Sequence, residues 1–262
     1  GAMKTLALYS VKGGVGKTSS AVNLAHLAAN SGLRTLLWDL DHQAATTFSL
    51  RIRSAGGGAK RVLSGAQRLD ELIKASDYER LDVLPARFSF RNADAALDKR
   101  DDALKRFRKL IKPLAGAYDV LVFDCPPGLT LMAESVMNAA DAVLVPVIPT
   151  PFSLHSLQLL AKHLGESTAG RRITVWPFFS MVDMRRSLHK ELCTHPENLA
   201  YPPLAARIPY ASQVERMSVE RAPVTAFAGR SGPARAYAAL WEETASRLGI
   251  LTAPAAAPRA PG

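Results

Sequence analysis

The chain alternates between short apolar runs and longer segments in which apolar residues recur at helical spacing. The short runs lack the strict alternation of half-exposed strands, so they are typical of strands buried on both faces of a parallel sheet. These runs predict six strands, at residues 4–10, 34–39, 81–84, 119–124, 141–147 and 172–180. The helical spacing predicts five helices, at residues 18–30, 99–114, 129–139, 153–165 and 233–248. Because strands alternate with helices, we expect an α/β fold with a doubly wound, mostly parallel sheet flanked by helices.

The domain organisation follows from length and local composition. A chain of 262 residues fits one large α/β domain, which we place at residues 4–251. Residues 1–3 are interpreted as the remnant of a cleaved tag, and residues 252–262, rich in proline and alanine, are predicted to form a disordered tail. The glycine-rich run at residues 53–60 follows no strand, so we expect a flexible surface loop there.

Residues 11–19 read VKGGVGKTS and lie between the first predicted strand and the first predicted helix. This order is the context that a phosphate-binding loop requires. Glycines let backbone N–H groups turn toward phosphate oxygens, and the helix N-terminus adds partial positive charge. Lys17 would reach the β- and γ-phosphates, and the Thr18 hydroxyl would ligate Mg²⁺. The predicted nucleotide-binding residues of this loop are Lys12, Gly13, Gly14, Val15, Gly16, Lys17, Thr18 and Ser19.

The loop departs from the usual pattern G-x-x-x-x-G-K-[ST], because the first glycine of that pattern falls on Val11 and Lys12 adds a second cation. The sequence K-G-G-V-G-K-T resembles the deviant Walker A loop of the ParA/MinD family of P-loop ATPases. The resemblance implies a P-loop NTPase fold, with ATP and Mg²⁺ as cofactors. It also implies that Lys12 crosses the interface of an ATP-sandwich homodimer to contact the partner subunit's nucleotide, so Lys12 and Lys17 are both candidate catalytic residues.

Residues 36–43, LLWDLDHQ, are similar to the D-x-D-P-Q segment of that family. The resemblance assigns Asp41 to orienting or deprotonating the attacking water, and Asp39 to the neighbourhood of the Mg²⁺ shell. A carboxylate at the carboxyl end of a strand, beside the phosphate loop, is well placed for this role. The alternative is a pair of solvated turn carboxylates. His42 stands where the family usually has proline.

Residues 119–128, DVLVFDCPPG, combine a buried strand with an aspartate and a tight turn. Four apolar residues followed by Asp124 predict a Walker B strand, with Asp124 holding Mg²⁺ through a water molecule. The Pro-Pro-Gly turn resembles the second switch of the family, where the backbone amide of Gly128 would approach the γ-phosphate. We interpret Cys125 as a small packing residue, and the two cysteines of the chain as typical of a reducing compartment.

Residues 178–183, FFSMVD, and 207–210, RIPY, resemble family stretches that flank the adenine. The resemblance implies that Met181 and Pro209 pack on the base. The alternative for Met181 is an ordinary core position on a strand.

The formal net charge of +10 indicates a polyanionic partner, either nucleic acid or an anionic membrane. Arg185 and Arg186 align with a basic site that ParA proteins use for nonspecific DNA, and Arg207 and Arg216 could extend this site across a dimer. A second basic cluster, at 105–112, is also explained as the solvated face of an outer helix.

The function implied by the resemblance is a Mg²⁺-dependent ATPase that dimerises on ATP and binds DNA nonspecifically. It would position a cytoplasmic, nucleoid-associated cargo, such as a plasmid, chromosome, carboxysome or chemoreceptor array, through an adaptor protein that stimulates hydrolysis. We expect no membrane partner, because no apolar run reaches membrane-spanning length and the predicted tail contains no basic amphipathic helix. The alternatives are a MinD-like membrane-cycling ATPase and a nucleotide-gated adaptor with negligible turnover.

Overall fold

A computed structural model describes residues 2–53, 67–86, 100–167 and 172–250. Within these ranges, strands form one sheet in the order β3-β4-β2-β5-β1-β6-β7, with every neighbouring pair parallel except β3–β4. The strands are β1 Lys4–Leu8, β2 Thr35–Asp39, β3 Lys74–Ala75, β4 Leu81–Leu84, β5 Val120–Asp124, β6 Ala142–Val147 and β7 Val175–Phe179. All six predicted strands are confirmed, and the short edge strand β3 was not predicted.

The helices lie on both faces of this sheet, as the predicted fold class requires. They are α1 Lys17–Asn30, α2 Ala45–Ser49, α3 Arg100–Ile111, α4 Leu131–Ala139, α5 Pro151–Ser167, α6 Ser187–Thr194, α7 Ser212–Glu215, α8 Met217–Glu220, α9 Val224–Phe227 and α10 Gly232–Arg247. The predicted helix at 99–114 is α-helical only to Ile111 and continues as a 3₁₀ turn, because Pro113 cannot donate a helical hydrogen bond. The predicted tail, and all but the first residue of the predicted loop at 53–60, lie outside the described residues.

Two apolar layers cover the sheet. Phe123 of β5 packs toward α3 and α4, together with Trp38 and Phe107, whose rings stack with centroids 5.8 Å apart. Val122, the residue before Phe123, faces α1 and α10 in the opposite layer. Every residue of β5 is buried. Burial on both faces is the reason that the strand sequences read as continuous apolar runs.

The register of the sheet brings three chain segments to one edge. Asp124, the last residue of β5, lies opposite Leu8 at the end of β1 and opposite Asp39 at the end of β2. The glycine-rich loop leaves β1 at the same edge and leads directly into α1. In open α/β sheets the carboxyl edge of the strands is the side where ligands bind.

Candidate functional site

The backbone of the glycine-rich loop adopts conformations that would be strained at residues other than glycine. Gly14 and Gly16 have φ of 76° and 88°, in the left-handed region that favours glycine. A Cβ atom at Gly16 would lie 2.7 Å from Oγ of the buried Ser180. The loop delivers α1 with its N-terminus at the site, and the first turn of α1 contains no acidic residue. The positive end of this helix dipole is therefore available to an anion.

Lys17, the first residue of α1, lies between two carboxylates. Its Nζ atom is 3.3 Å from Oδ2 of Asp41 and donates a hydrogen bond to Oδ1 of Asp124. The three side chains are at most 10% exposed. Burial lowers the pKa of Lys17, but the charge and hydrogen bond of Asp124, with the charge of Asp41, outweigh it and raise this pKa. Lys17 is therefore a buried cation held by anions 24 and 107 residues away.

Asp124 uses its second oxygen to accept two hydroxyl groups. Thr18 Oγ1 donates to Asp124 Oδ2 over 2.9 Å, and Thr46 Oγ1 donates to the same atom over 2.8 Å. A hydroxyl and a carboxylate oxygen this close are a donor set that suits Mg²⁺. Among the described residues, no three acidic, histidine or cysteine side chains converge on a metal-sized position. Magnesium would therefore need ligands from a phosphate as well.

Asp39 lies in a different environment from the other two carboxylates. Its Oδ2 accepts from the Thr47 hydroxyl over 2.6 Å and from the Thr47 amide over 2.9 Å, while its Oδ1 accepts from the Asp41 amide over 3.2 Å. Burial, followed by the charge of Asp124, raises the pKa of Asp39 to about 7. These contacts attach Asp39 to Asp41 and to Thr47 of α2, both in the segment that follows β2. Its predicted place near the Mg²⁺ shell stays a prediction.

Asp41 is the carboxylate with a path to solvent. Its Oδ1 accepts from the Gln43 amide over 3.0 Å, and its side chain is 10% exposed, whereas that of Asp124 is fully buried. His42 takes the place of the family's proline in an exposed turn, with Nδ1 3.6 Å from Asp41 Oδ1. The alternative of two solvated turn carboxylates is wrong for both Asp39 and Asp41, because both are buried.

Lys12 and Gly128 belong to the two chain segments that adjoin this cluster in sequence, the glycine-rich loop and the turn after Asp124. Lys12 is exposed, with Nζ 4.9 Å from the ring centroid of Phe152 in a cation–π contact. Gly128 has φ of 85°, so the turn after Asp124 also requires the left-handed region. Cys125 is fully buried, and burial raises the pKa of its thiol, which agrees with a packing role.

The two predicted adenine segments meet next to the glycine-rich loop. Val182 and Pro209 form an isolated parallel bridge. Met181 lies beyond the end of β7, partly exposed and with φ of 53°, so it is not a core position on a strand. Ser180, the residue before Met181, lies beside the loop, because a Cβ at Gly16 would be 2.7 Å from its Oγ. Adenine binding by Met181 and Pro209 remains a prediction.

The predicted DNA-binding arginines differ in how far their charges are engaged. Arg185 forms a two-pronged ion pair with Asp183, and this hydrogen bonding lowers the pKa of Asp183 to about 2. Arg207 donates to the Cys193 carbonyl oxygen over 2.6 Å, and Arg216 pairs with Glu220 at 2.5 Å. Arg186 is exposed, and no acidic side chain in the described ranges pairs with it. Arg186 directly precedes α6, whereas Arg207 contacts the carbonyl oxygen of Cys193 in its last turn.

Three residues at the site were missed by the sequence analysis. Thr46 and Thr47 donate hydrogen bonds to the carboxylates of β5 and β2, and Ser180 occupies the space that a side chain at Gly16 would need. Thr46 and Thr47 follow Asp41 by five and six residues without any motif that marks them. Only their position on α2, which folds back over the carboxylates, gives them a role.

No helix in the described part of the chain has the length and apolar character needed to cross a bilayer.

Comparisons with known proteins agree with this geometry. A family model described as an AAA domain matches residues 3–171. The chain is similar to the chromosome partitioning protein ParA of Myxococcus xanthus, 34% identical over 60% of this chain and 56% of that protein. It is also similar to the chromosome-partitioning ATPase Soj of Treponema pallidum, 27% identical over 94% of this chain and 98% of that protein. The septum site-determining protein MinD of Pyrococcus horikoshii, solved with Mg-ADP, shares the fold with a TM-score of 0.77 at 23% identity, over 95% of this chain and 98% of that one.

Proposed function

Since this chain belongs to the ParA/MinD family of P-loop ATPases, we propose that it binds ATP with Mg²⁺, hydrolyses ATP to ADP and phosphate, and uses this cycle to position or segregate a cytoplasmic cargo. The observation that carries the proposal is the buried cluster of Lys17, Asp41 and Asp124 beside the glycine-rich loop. Two of its relatives are chromosome-partitioning proteins by name, which supports positioning as the class of function.

The residues present fit a magnesium nucleotide. Lys17 is a charged donor whose two present partners are anions, so a phosphate can take the place of a carboxylate without leaving the ammonium group unpaired. Thr18 and Asp124 would hold Mg²⁺, which supplies positive charge at the phosphates when bound. The MinD protein of the same fold was solved with Mg-ADP, which supports the choice of this cofactor pair.

Asp41 is the carboxylate that we assign to the attacking water. Its side chain keeps contact with solvent, whereas Asp124 is fully buried and Asp39 is held by hydrogen bonds to the chain. A carboxylate that a water molecule can reach, and that Lys17 and the Gln43 amide hold in place, can orient this water for attack on the terminal phosphate.

Lys12 is the residue that we assign to the dimer. It is exposed on the loop, where only the face of Phe152 holds its ammonium group among the described side chains. A cation at this position would contact the nucleotide bound by the partner subunit. ATP would then favour the homodimer, because each nucleotide is bound by both subunits.

Two lysine variants test the nucleotide and the dimer separately. Lys17→Ala should lose ATP binding, whereas Lys12→Ala should bind ATP yet fail to dimerise or hydrolyse it. A nucleotide-binding titration measures ATP binding, and sedimentation velocity and phosphate release with Mg-ATP measure dimerisation and hydrolysis. Lys162→Ala, on the exposed face of α5, serves as the control. A Lys12→Ala protein that dimerises normally would show that Lys12 has no role across the interface. Wild-type protein that binds ATP without releasing phosphate would instead indicate a nucleotide-gated adaptor.

The proposal also includes nonspecific DNA binding by the exposed arginines. A phosphate contact needs a cation, and Arg186 is the exposed predicted arginine whose guanidinium has neither an acidic partner, as Arg185 and Arg216 have, nor a carbonyl acceptor, as Arg207 has, in the described ranges. Arg185 must share its charge with Asp183, so we expect it to contribute less. Arg207 and Arg216 would extend the surface when two subunits associate, and an adaptor protein bound to the cargo would stimulate hydrolysis and release the DNA.

A salt series tests this surface. Anisotropy titrations of random-sequence duplexes should show tight DNA binding in the presence of ATP, and weak binding with ADP or without nucleotide. Log affinity falls with log salt by about 0.9 per phosphate neutralised, so Arg186→Ala should reduce the slope by about two units per dimer. The control is Arg68→Ala, which also removes one exposed positive charge from each subunit but at a position outside the predicted DNA-binding residues. Equal binding in the three nucleotide states would refute the ATP gate, and binding to anionic liposomes would favour a membrane-cycling ATPase.

A further inference from the structure

The inner side of α2 is attached to the carboxylates of the site. Thr46 Oγ1 donates to Asp124 Oδ2 over 2.8 Å, and Thr47 Oγ1 donates to Asp39 Oδ2 over 2.6 Å. Thr46 shares its acceptor atom with Thr18. A ligand added at Asp124 and Thr18 therefore competes directly with the hydrogen bond that holds α2.

The outer side of α2 is attached to the chain at residues 220 and 221. Arg221 Nε donates to the Phe48 carbonyl oxygen over 2.9 Å, and its guanidinium lies 4.4 Å from the centroid of the Phe48 ring. Arg51, just after α2, donates to the Glu220 carbonyl oxygen over 2.8 Å. The Glu220 side chain in turn pairs with Arg216. A continuous series of contacts thus joins Asp124 to Arg216 through α2.

Helix α2 and the attached residues 220 and 221 form one unit, and its backbone is strained at both ends of α2 and at Arg221. Ala44, Arg51 and Arg221 have φ of 56°, 58° and 50°, in the left-handed region that non-glycine residues rarely adopt. In the described part of the chain, five non-glycine residues have positive φ, and three of them belong to this unit. Such conformations persist where surrounding contacts hold them, and they are concentrated in switch segments.

We infer that Arg221 is a positioning residue that couples the occupancy of the carboxylate site to the segment that bears Arg216. This inference rests on the proposed function, in which Arg216 contacts DNA. When a ligand at Asp124 displaces the Thr46 hydroxyl, α2 moves, and the Phe48 carbonyl moves with it. Arg221 follows through its hydrogen bond and its stacking contact, and the 216–221 segment changes its position relative to α6. DNA affinity thereby depends on the nucleotide without any contact between the two ligands.

Hydrogen exchange on the full chain measures this coupling. Mg-ATP should change the exchange rates of α2 and of the amides of Val219 and Glu220, which both donate to the Arg216 carbonyl oxygen. In Arg221→Gln the change at α2 should remain, and the change at 217–220 should be lost. The matched control is Arg80→Gln, because Arg80 also has positive φ, at 63°, and donates to a carbonyl oxygen, that of Gly32, away from the site.

A nucleotide-free arm separates the coupling from the proposed function. Thr46→Val removes the hydrogen bond to Asp124, so it should speed exchange at 217–220 in the wild-type background and not in Arg221→Gln. If exchange at 217–220 responds to Thr46→Val or to Mg-ATP in spite of Arg221→Gln, the coupling is refuted. If Mg-ATP changes exchange nowhere in the wild-type protein, the proposed function fails, and the Thr46→Val comparison still decides the coupling.

DNA binding provides the functional measurement. The ratio of DNA affinities with ATP and with ADP should fall about tenfold in Arg221→Gln, the fold-change expected for one hydrogen bond to a charged group. Arg221→Lys keeps the positive charge but lacks the planar guanidinium that both donates and stacks, so it should lower the ratio similarly. A ratio that survives in Arg221→Lys but falls in Arg221→Gln would show that Arg221 acts as a DNA-binding charge, and would overturn its role in coupling.

Discussion

Replacing the glycines of the phosphate loop one at a time should separate backbone strain from side-chain overlap. Gly13, Gly14 and Gly16 lie within four residues of one another but differ in geometry. Gly13 has no positive φ, and a Cβ there meets no described atom within 4 Å. Gly14 has φ of 76° and open space for a Cβ, whereas Gly16 has φ of 88° and a Cβ there would lie 2.7 Å from Ser180 Oγ. Alanine at these positions therefore tests three combinations of the two effects.

The expected free energies of unfolding follow from this geometry. Gly13→Ala should leave stability unchanged or raise it by up to about 1 kcal/mol, since alanine reduces the entropy of the unfolded chain. Gly14→Ala should cost about 1–2 kcal/mol, because an L-residue is forced into the left-handed region. Gly16→Ala should cost about 2–5 kcal/mol, because the overlap with Ser180 adds about 1–3 kcal/mol to the same backbone strain.

A double-mutant cycle isolates the overlap. Ser180→Ala removes the Oγ atom that a Cβ at Gly16 would meet, so Gly16→Ala in this background should cost only the about 1–2 kcal/mol of backbone strain. The coupling energy between the two positions should be about 1–3 kcal/mol. Gly14→Ala should show no such coupling with Ser180→Ala, because its Cβ meets open space among the described atoms.

Urea unfolding without nucleotide, followed by tryptophan fluorescence and by circular dichroism, measures these values. The slope of free energy with urea should stay constant across the series. If Gly13→Ala costs as much as Gly14→Ala, the backbone reasoning is wrong. If Gly16→Ala costs the same with and without Ser180 Oγ, the expected overlap between the new Cβ and this oxygen does not occur.

Three further outcomes are expected. Lys17→Ala should lower the free energy of unfolding by about 3–5 kcal/mol in urea titrations at pH 7, because it leaves Asp124 buried without its cation; unchanged stability would contradict the buried ion pair. Asp41→Ala should slow phosphate release while the ATP-bound dimer and its DNA binding persist, and unchanged turnover would mean that Asp41 has the wrong role. His26 has a pKa lowered by burial from 6.5 to about 4, so the folded state binds fewer protons, and stability should be lost as pH falls from 6.5 toward 4. The loss should be about 2 kcal/mol at pH 5 relative to pH 7, and it should disappear in His26→Gln if the assignment is correct.

The fold class could be predicted because its evidence is local. Strands buried on both faces are apolar throughout, and a loop with several glycines between a strand and a helix indicates phosphate binding. Short elements were missed for the opposite reason. The helices α2 and α7–α9 have four or five residues each, and β3 has two. Isolated segments of this length are not stable, so their structure depends on tertiary contacts that no local pattern records.

The sequence by itself determined the succession of strands along the chain, the phosphate loop with its two lysines, and the candidate aspartates at the ends of two other strands. Only the tertiary structure decided how these groups are paired. Asp124 meets Lys17 and Thr46, from 107 and 78 residues away, because the parallel register brings the carboxyl ends of β1, β2 and β5 to one edge. Asp39 and Asp41 are two residues apart in sequence, yet one is held by Thr47 and the other by Lys17. Burial and the charge of Asp124, which raise the pKa of Asp39, are properties of the folded chain and not of the local sequence.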